Sequence, residues 1–141
     1  MTRAADANWS HVPWLILLIA SCILTGCAWN NDPAMINNVR ALHFVNLLRS
    51  AEARYQTQHG RYADLADLGP SGSNLIPKEL AQGKVSGYEF HIEVYVSGYR
   101  LTAWPLVEGR TGFRSLYCDE TGVIRQKWGH GRATATSTLV N

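Results

Sequence analysis

Glu89, His91 and Glu93 alternate along one short stretch, and Tyr95 follows in the same phase. In an extended strand every second side chain points the same way, so all four would share one face. An imidazole between two carboxylates is an arrangement that can hold a metal ion or move a proton. The water-facing side of any half-buried strand gives the same pattern, and that is the reading these residues favour, with the face as a possible partner surface. Tyr95 and Trp104 beside it would make an aromatic-bearing face, with core or edge packing as the equal alternative. The five histidines are otherwise scattered, and His43 falls on the polar side of a helical stretch. The sequence has no glycine-rich phosphate loop, no Ser/His/Asp arrangement and no Cys or His pair at metal-ligand spacing. Neither a catalytic residue, a metal site nor a cofactor is therefore expected.

The other chemistry lies in thiols. The three cysteines are Cys22, Cys27 and Cys118. Cys27 ends the stretch Leu24-Thr25-Gly26-Cys27, which closes an apolar block, Trp14 to Leu24. That block has the length of a signal-peptide core and falls short of the ~20 residues that span a bilayer. Extending it from Val12 to Trp29 brings it to the lower edge of spanning length, but only by including Pro13, Thr25 and Gly26. An uncleaved anchor and a buried core helix are the alternatives.

A small residue before a cysteine, directly after such a block, resembles the lipobox of bacterial lipoproteins: Leu24, Thr25, Gly26, then Cys27. The resemblance implies that the Cys27 thiol receives a diacylglyceryl group. Residues 1–26 are then removed, and the new amino group is acylated. Two chains and a third hold a protein on a membrane stably, at ~0.8 kcal/mol per buried methylene. Ala28 rather than Asp in second place implies the outer rather than the inner membrane, with the head in the periplasm or at the surface. Cys22 leaves with the signal and Cys118 stands alone, so no disulfide forms within the chain. Without lipidation, a Cys27–Cys118 bridge becomes the competing expectation in an oxidising compartment.

Residues 27–33 form the anchor and a short linker that ends in Asp32-Pro33, an N-cap followed by proline at the first helical position. A helix is predicted from Ala34 to Gln58. Ala41, Phe44, Leu48, Ala51 and Tyr55 recur at spacings of three and four, widened by Val45 and Leu47. Arg40, His43, Arg49 and Arg54 lie largely outside that stripe, and Gly60 stops the helix. Short helical turns are expected at Tyr62–Leu68 and Pro77–Ala81, with Gly69–Ser73 as loop. Tyr88, Phe90, Ile92, Val94 and Val96 form the apolar face of a strand, and Ser97-Gly98 turns it back. Tyr99–Val107 returns with Leu101 and Ala103 inward, and Pro105 marks an edge or a strand end. Phe113–Cys118 and Val123–Trp128 follow as third and fourth strands. The expected head, residues 34–128, is α+β: a long helix laid across a three- to four-stranded antiparallel meander. From Gly129 to Asn141 a small, polar, disordered tail is expected.

Several segments in this order resemble the heads of type IV pilin-like and type II secretion pseudopilin-like proteins. They are Ala51-Glu52-Ala53-Arg54-Tyr55-Gln56, Gly60-Arg61-Tyr62-Ala63, Leu65-Ala66-Asp67-Leu68-Gly69, Lys84 to Phe90, Thr111 to Tyr117 and Asp119 to Arg125. The likeness spans about Val39 to Arg125 and rests on packing and turn residues. It implies a helix-on-meander fold, and it brings with it the Ca²⁺ site some pseudopilins carry near the C-terminus, here Asp119 and Glu120. A hard cation takes six to eight oxygens, and a single Asp-Glu pair is more often only a turn. The phenylalanine-led apolar helix with which such pilins begin is not found here, so a pilin-type head on a lipid anchor is expected.

With 46% hydrophobic and 17% charged residues in 141, the chain has material for one small domain and is too apolar for general disorder. A net charge of +2 without a Lys/Arg cluster excludes nucleic acid as an expected partner. The leading expectation is a non-enzymatic envelope lipoprotein, bound to the membrane by its lipid, whose head meets an envelope protein or self-associates as pilins do. The alternative is a minor pilin or pseudopilin-like subunit held by an uncleaved Val12–Trp29. An enzyme using His91 with Glu89 and Glu93 is the third.

Overall fold

Asp32 and Pro33 start helix α1, Pro33–His59, in the computed structural model, which describes residues 32–140. The Asp32 carboxylate accepts the Ala34 N–H at 2.9 Å, satisfying a donor that has no partner within the first turn. At the far end Gly60 adopts a φ of 69° and donates its N–H to the Gln56 carbonyl. A residue without Cβ takes that left-handed conformation at least cost. The apolar block Trp14–Leu24, the stretch Leu24–Cys27 and the linker as far as Asn31 lie outside the described residues. So does the Cys27 half of any bridge to Cys118. Among the described residues no helix is long and apolar enough to cross a membrane.

The buried seam of α1 is Ala34, Asn38, Ala41, Val45, Leu48, Glu52 and Tyr55, with Ala51 beside it. Alternating steps of four and three keep these positions on one side of a helix with 3.6 residues per turn. Phe44 and Leu47 flank the seam and are partly buried, whereas Arg40, His43 and Arg54 are exposed. Two one-turn helices follow: α2, Leu65–Leu68, and α3, Lys78–Ala81. Each contributes one fully buried leucine, Leu68 and Leu80.

The sheet is a meander of six antiparallel strands in chain order. They are β1 Lys84–Val85, β2 Tyr88–Val94, β3 Tyr99–Pro105, β4 Arg114–Asp119, β5 Arg125–Trp128 and β6 Thr138–Leu139. The fold is α+β, as the sequence implies, but with six strands in place of three or four. The two extra strands are two residues each, too short to show alternation. β1 turns into β2 through Ser86 and Gly87, both at positive φ (50° and 73°), which brings Val85 opposite Tyr88.

The inner face of the sheet carries Tyr88, Phe90 and Ile92 of β2, Leu101 and Ala103 of β3, and Leu116 and Cys118 of β4, all buried. Fully burying a large apolar side chain contributes about 1.5–3 kcal/mol, so this layer and the α1 seam provide most of the drive to fold. The hairpin between β2 and β3 departs from expectation. Tyr95 donates its N–H to the Gly98 carbonyl, so Val96 and Ser97 occupy the turn. Val96 thereby leaves the alternation and is fully exposed, and Val94 at the strand end is partly so. Pro105 does end its strand.

The expected disordered tail is also corrected. Residues 129–140 return across the outer face of the sheet, where the Ser115 hydroxyl accepts the Ala133 N–H at 2.7 Å and donates to the Gly131 carbonyl at 3.1 Å. Ala133 is buried, and β6 pairs with β5 at Arg125–Leu139 and Gln126–Thr138. Small residues allow the tail backbone this close approach; one hydroxyl supplies two of the hydrogen bonds that hold it, and Arg125 Nη1 adds another to the Ser137 carbonyl at 3.0 Å.

Candidate interaction face

β2 and β3 place the sequence-predicted residues on the outer face of the sheet. Glu89 lies opposite Trp104, His91 opposite Thr102, and Glu93 opposite Arg100. The Arg100 guanidinium pairs with Glu93 Oε2. The Tyr95 hydroxyl donates to the same oxygen at 2.6 Å, and His91 Nε2 stands 3.8 Å from Oε1. The Tyr95 hydrogen bond, then the Arg100 one, holds the Glu93 carboxyl below its usual range. Tyr95 and Arg100 both move upward, chiefly through hydrogen bonds to Glu93. Three of the four expected residues thus meet through Glu93, with Arg100 as a fourth member that the sequence reading lacked. Glu89 stands apart from them. The cluster lies in water, where such pairs contribute little to stability. What it does is fix a charged pattern on a rigid strand pair.

The tail builds the second half of this face. The Arg132 guanidinium lies 3.6 Å from the centroid of the Trp104 ring, a close cation–π contact. Between the tail and the sheet runs an open groove of about 390 Å³, with Glu93, Arg100, Thr102 and Tyr117 on one side and Arg132 to Ala135 on the other. It presents two guanidinium groups, one paired with a carboxylate and one stacked on an indole.

Asp119 and Glu120 sit at the β4–β5 turn. Asp119 Oδ1 takes the N–H and hydroxyl of Thr121, and Oδ2 accepts the Tyr117 hydroxyl at 3.1 Å. Its oxygens thus hold the turn together. Among the described residues no group of three or more His, Cys, Asp or Glu side chains is placed to hold a metal ion. Cys118 is buried with its sulfur 3.9 Å from the Tyr99 hydroxyl, and burial raises its pKa, which makes a poor nucleophile.

Two polar residues, Asn38 and Glu52, lie in the α1 seam although the apolar stripe read from the sequence does not include them. Asn38 Oδ1 accepts the Tyr88 hydroxyl at 2.6 Å and the Phe113 N–H at 2.9 Å, and the Asn38 carbonyl accepts Arg114 Nη2 at 3.0 Å. Arg114 also donates to Gln126 Oε1 at 2.9 Å, so one network ties α1 to β2, β4 and β5. Burial lowers the Arg114 pKa. The second residue is Glu52, with no solvent exposure. Its Oε2 accepts the Ala63 N–H at 3.0 Å, while Oε1 is buried without a partner among the described residues. Burial pushes its pKa up to about 7, opposed by the Ala63 hydrogen bond and reinforced by Asp64. The signal that would have found both is phase: each falls on the four–three spacing set by Ala41, Val45, Leu48 and Tyr55.

Compared with family models, with curated proteins and with solved structures, the chain matches none.

Proposed function

We propose that this chain is a bacterial envelope lipoprotein, anchored through lipid on Cys27, whose pilin-like α+β head is a non-enzymatic interaction module. The observation that carries the reading is the stretch Leu24-Thr25-Gly26-Cys27 directly after the apolar block Trp14–Leu24. The capped start of α1 only five residues after Cys27 supports it, because a mature chain beginning at Cys27 loses nothing of the folded head. A rigid outer face bearing Arg100, Glu93, Tyr95 and the Arg132–Trp104 stack supports the interaction role, as Arg and aromatic side chains dominate protein contacts. Replacing Cys27 with serine tests the anchor. The substitution removes the thiol that would take the lipid, so unprocessed precursor accumulates. Normal processing of Cys27→Ser contradicts the proposal.

A further inference from the structure

Strand ends and the first turns of α1 converge at one end of the head. Tyr88 at the start of β2 pairs with Pro105 at the end of β3, and Arg114 at the start of β4 pairs with Trp128 at the end of β5. Asn38, in the second turn of α1, bonds both Tyr88 and Phe113, and the neighbouring Asn37 side chain donates to the Thr111 carbonyl at 3.0 Å. This end therefore holds Met35, Ile36 and Val39 of α1, Leu106 and Val107 of the β3–β4 loop, and Trp128, all exposed. Val39 is 67% exposed, although a helix in water normally turns such a side chain inward. Six of the eleven exposed large apolar side chains among the described residues lie at this end, the others being Val94, Tyr95, Val96, Val123 and Leu139, and such a grouping marks a surface that meets something apolar.

From these residues we infer that this end of the head docks on the bilayer surface, with the six apolar side chains in the headgroup region. The inference rests on the lipoprotein reading above. Five peptide links separate Cys27 from Asp32, so about 18 Å of extended chain is the longest possible tether between anchor and helix. A head held that closely, with α1 starting toward the membrane, keeps this end within reach of the interface. Trp128 is of the type that settles at such interfaces. Charge at this end is mixed: the Asp32 carboxylate caps Ala34 and Glu108 lies 3.1 Å from His130. Arg40 and Arg110 have no ion-pair partner among the described residues and can meet anionic headgroups. Docking by this end leaves the Glu93–Arg100 cluster and the Arg132–Trp104 stack open to a partner.

The test uses the full chain as processed in cells, purified and returned to vesicles of phosphatidylethanolamine and phosphatidylglycerol that contain a nitroxide-bearing lipid. A fluorophore is placed on Val107→Cys or, at the opposite end of the head, on Val96→Cys. Docking predicts several-fold stronger quenching at position 107 than at 96. It also predicts that Ile36→Asp with Leu106→Asp brings position 107 down to the level of 96 while the protein stays on the vesicles. Equal quenching at the two positions, or quenching at 107 that survives the double substitution, overturns docking and leaves the anchor intact. The intact mass of the same preparation separates the two claims: a mass without lipid removes the lipoprotein reading, and this inference with it.

Discussion

The Glu52 carboxyl and the Ala63 amide meet at 3.0 Å inside the core, joining α1 to the segment that follows it. The hydrogen bond fixes the chain reversal after Gly60, where the Tyr62 ring packs against Tyr99, centroids 5.1 Å apart and planes tilted by 51°. Among the described residues only one carboxyl oxygen is satisfied. A charge there would be costly, which is why burial dominates its titration.

Stability should therefore fall as pH rises through a defined window. The unfolded chain releases the Glu52 proton near 4.5, and the folded chain keeps it until about 7. Between those values the folded state binds more protons, so each pH unit removes about 1.4 kcal/mol, about 3 kcal/mol in all. Below 4.5 the full contribution is present. Glu52→Gln should flatten this part of the profile, as read by denaturant melts at pH 5 and pH 8. An equal slope in the variant would assign the titration elsewhere.

Asn38→Ala should cost about 1–3 kcal/mol, because it leaves the part-buried Phe113 N–H without its acceptor and takes from the Tyr88 hydroxyl the nearer of its two acceptors. Tyr88→Phe should cost less, since its hydroxyl also lies 2.8 Å from the Arg114 carbonyl and that single proton is shared. In a double-mutant cycle the two substitutions should be clearly non-additive. Simple additivity would mean that the pair is not coupled.

Much of the head was legible because local chemistry and packing agree in it. Asp32-Pro33 and Gly60 bound α1 to within a residue of expectation, and β2 shows its inner face in plain alternation. The face of Glu89, His91, Glu93 and Tyr95 was legible for the same reason. Arg100 was not, because its place beside Glu93 depends on register, and the turn lies at Val96–Ser97 rather than Ser97–Gly98. Asn38 and Glu52 were missed because hydrophobicity marks a seam only while its members are apolar. The ordered tail rests on single side chains, Ser115, Arg125 and Arg132, and on a two-residue strand, none of which leaves a periodic trace.

Ser115→Ala should release that tail without unfolding the core. It removes both hydrogen bonds at Gly131 and Ala133, about 1–2 kcal/mol. Amide exchange at Ala133 and protease cutting between residues 129 and 137 should both accelerate, with exchange in α1 unchanged. Global loss of protection would instead make the tail integral to the core.

The Cys118 thiol should resist alkylation in the native protein and react once the chain is unfolded, since it is buried beneath α1 and its pKa is raised. Rapid labelling of the native protein, counted by mass, would contradict this placement.

The proposed anchor is tested most directly by the intact mass of the protein extracted from membranes. The account predicts a chain that starts at Cys27 and is heavier by a diacylglyceryl group and one further acyl chain. A full-length, unmodified mass would contradict it and favour a pilin-like subunit held by an uncleaved Val12–Trp29 segment.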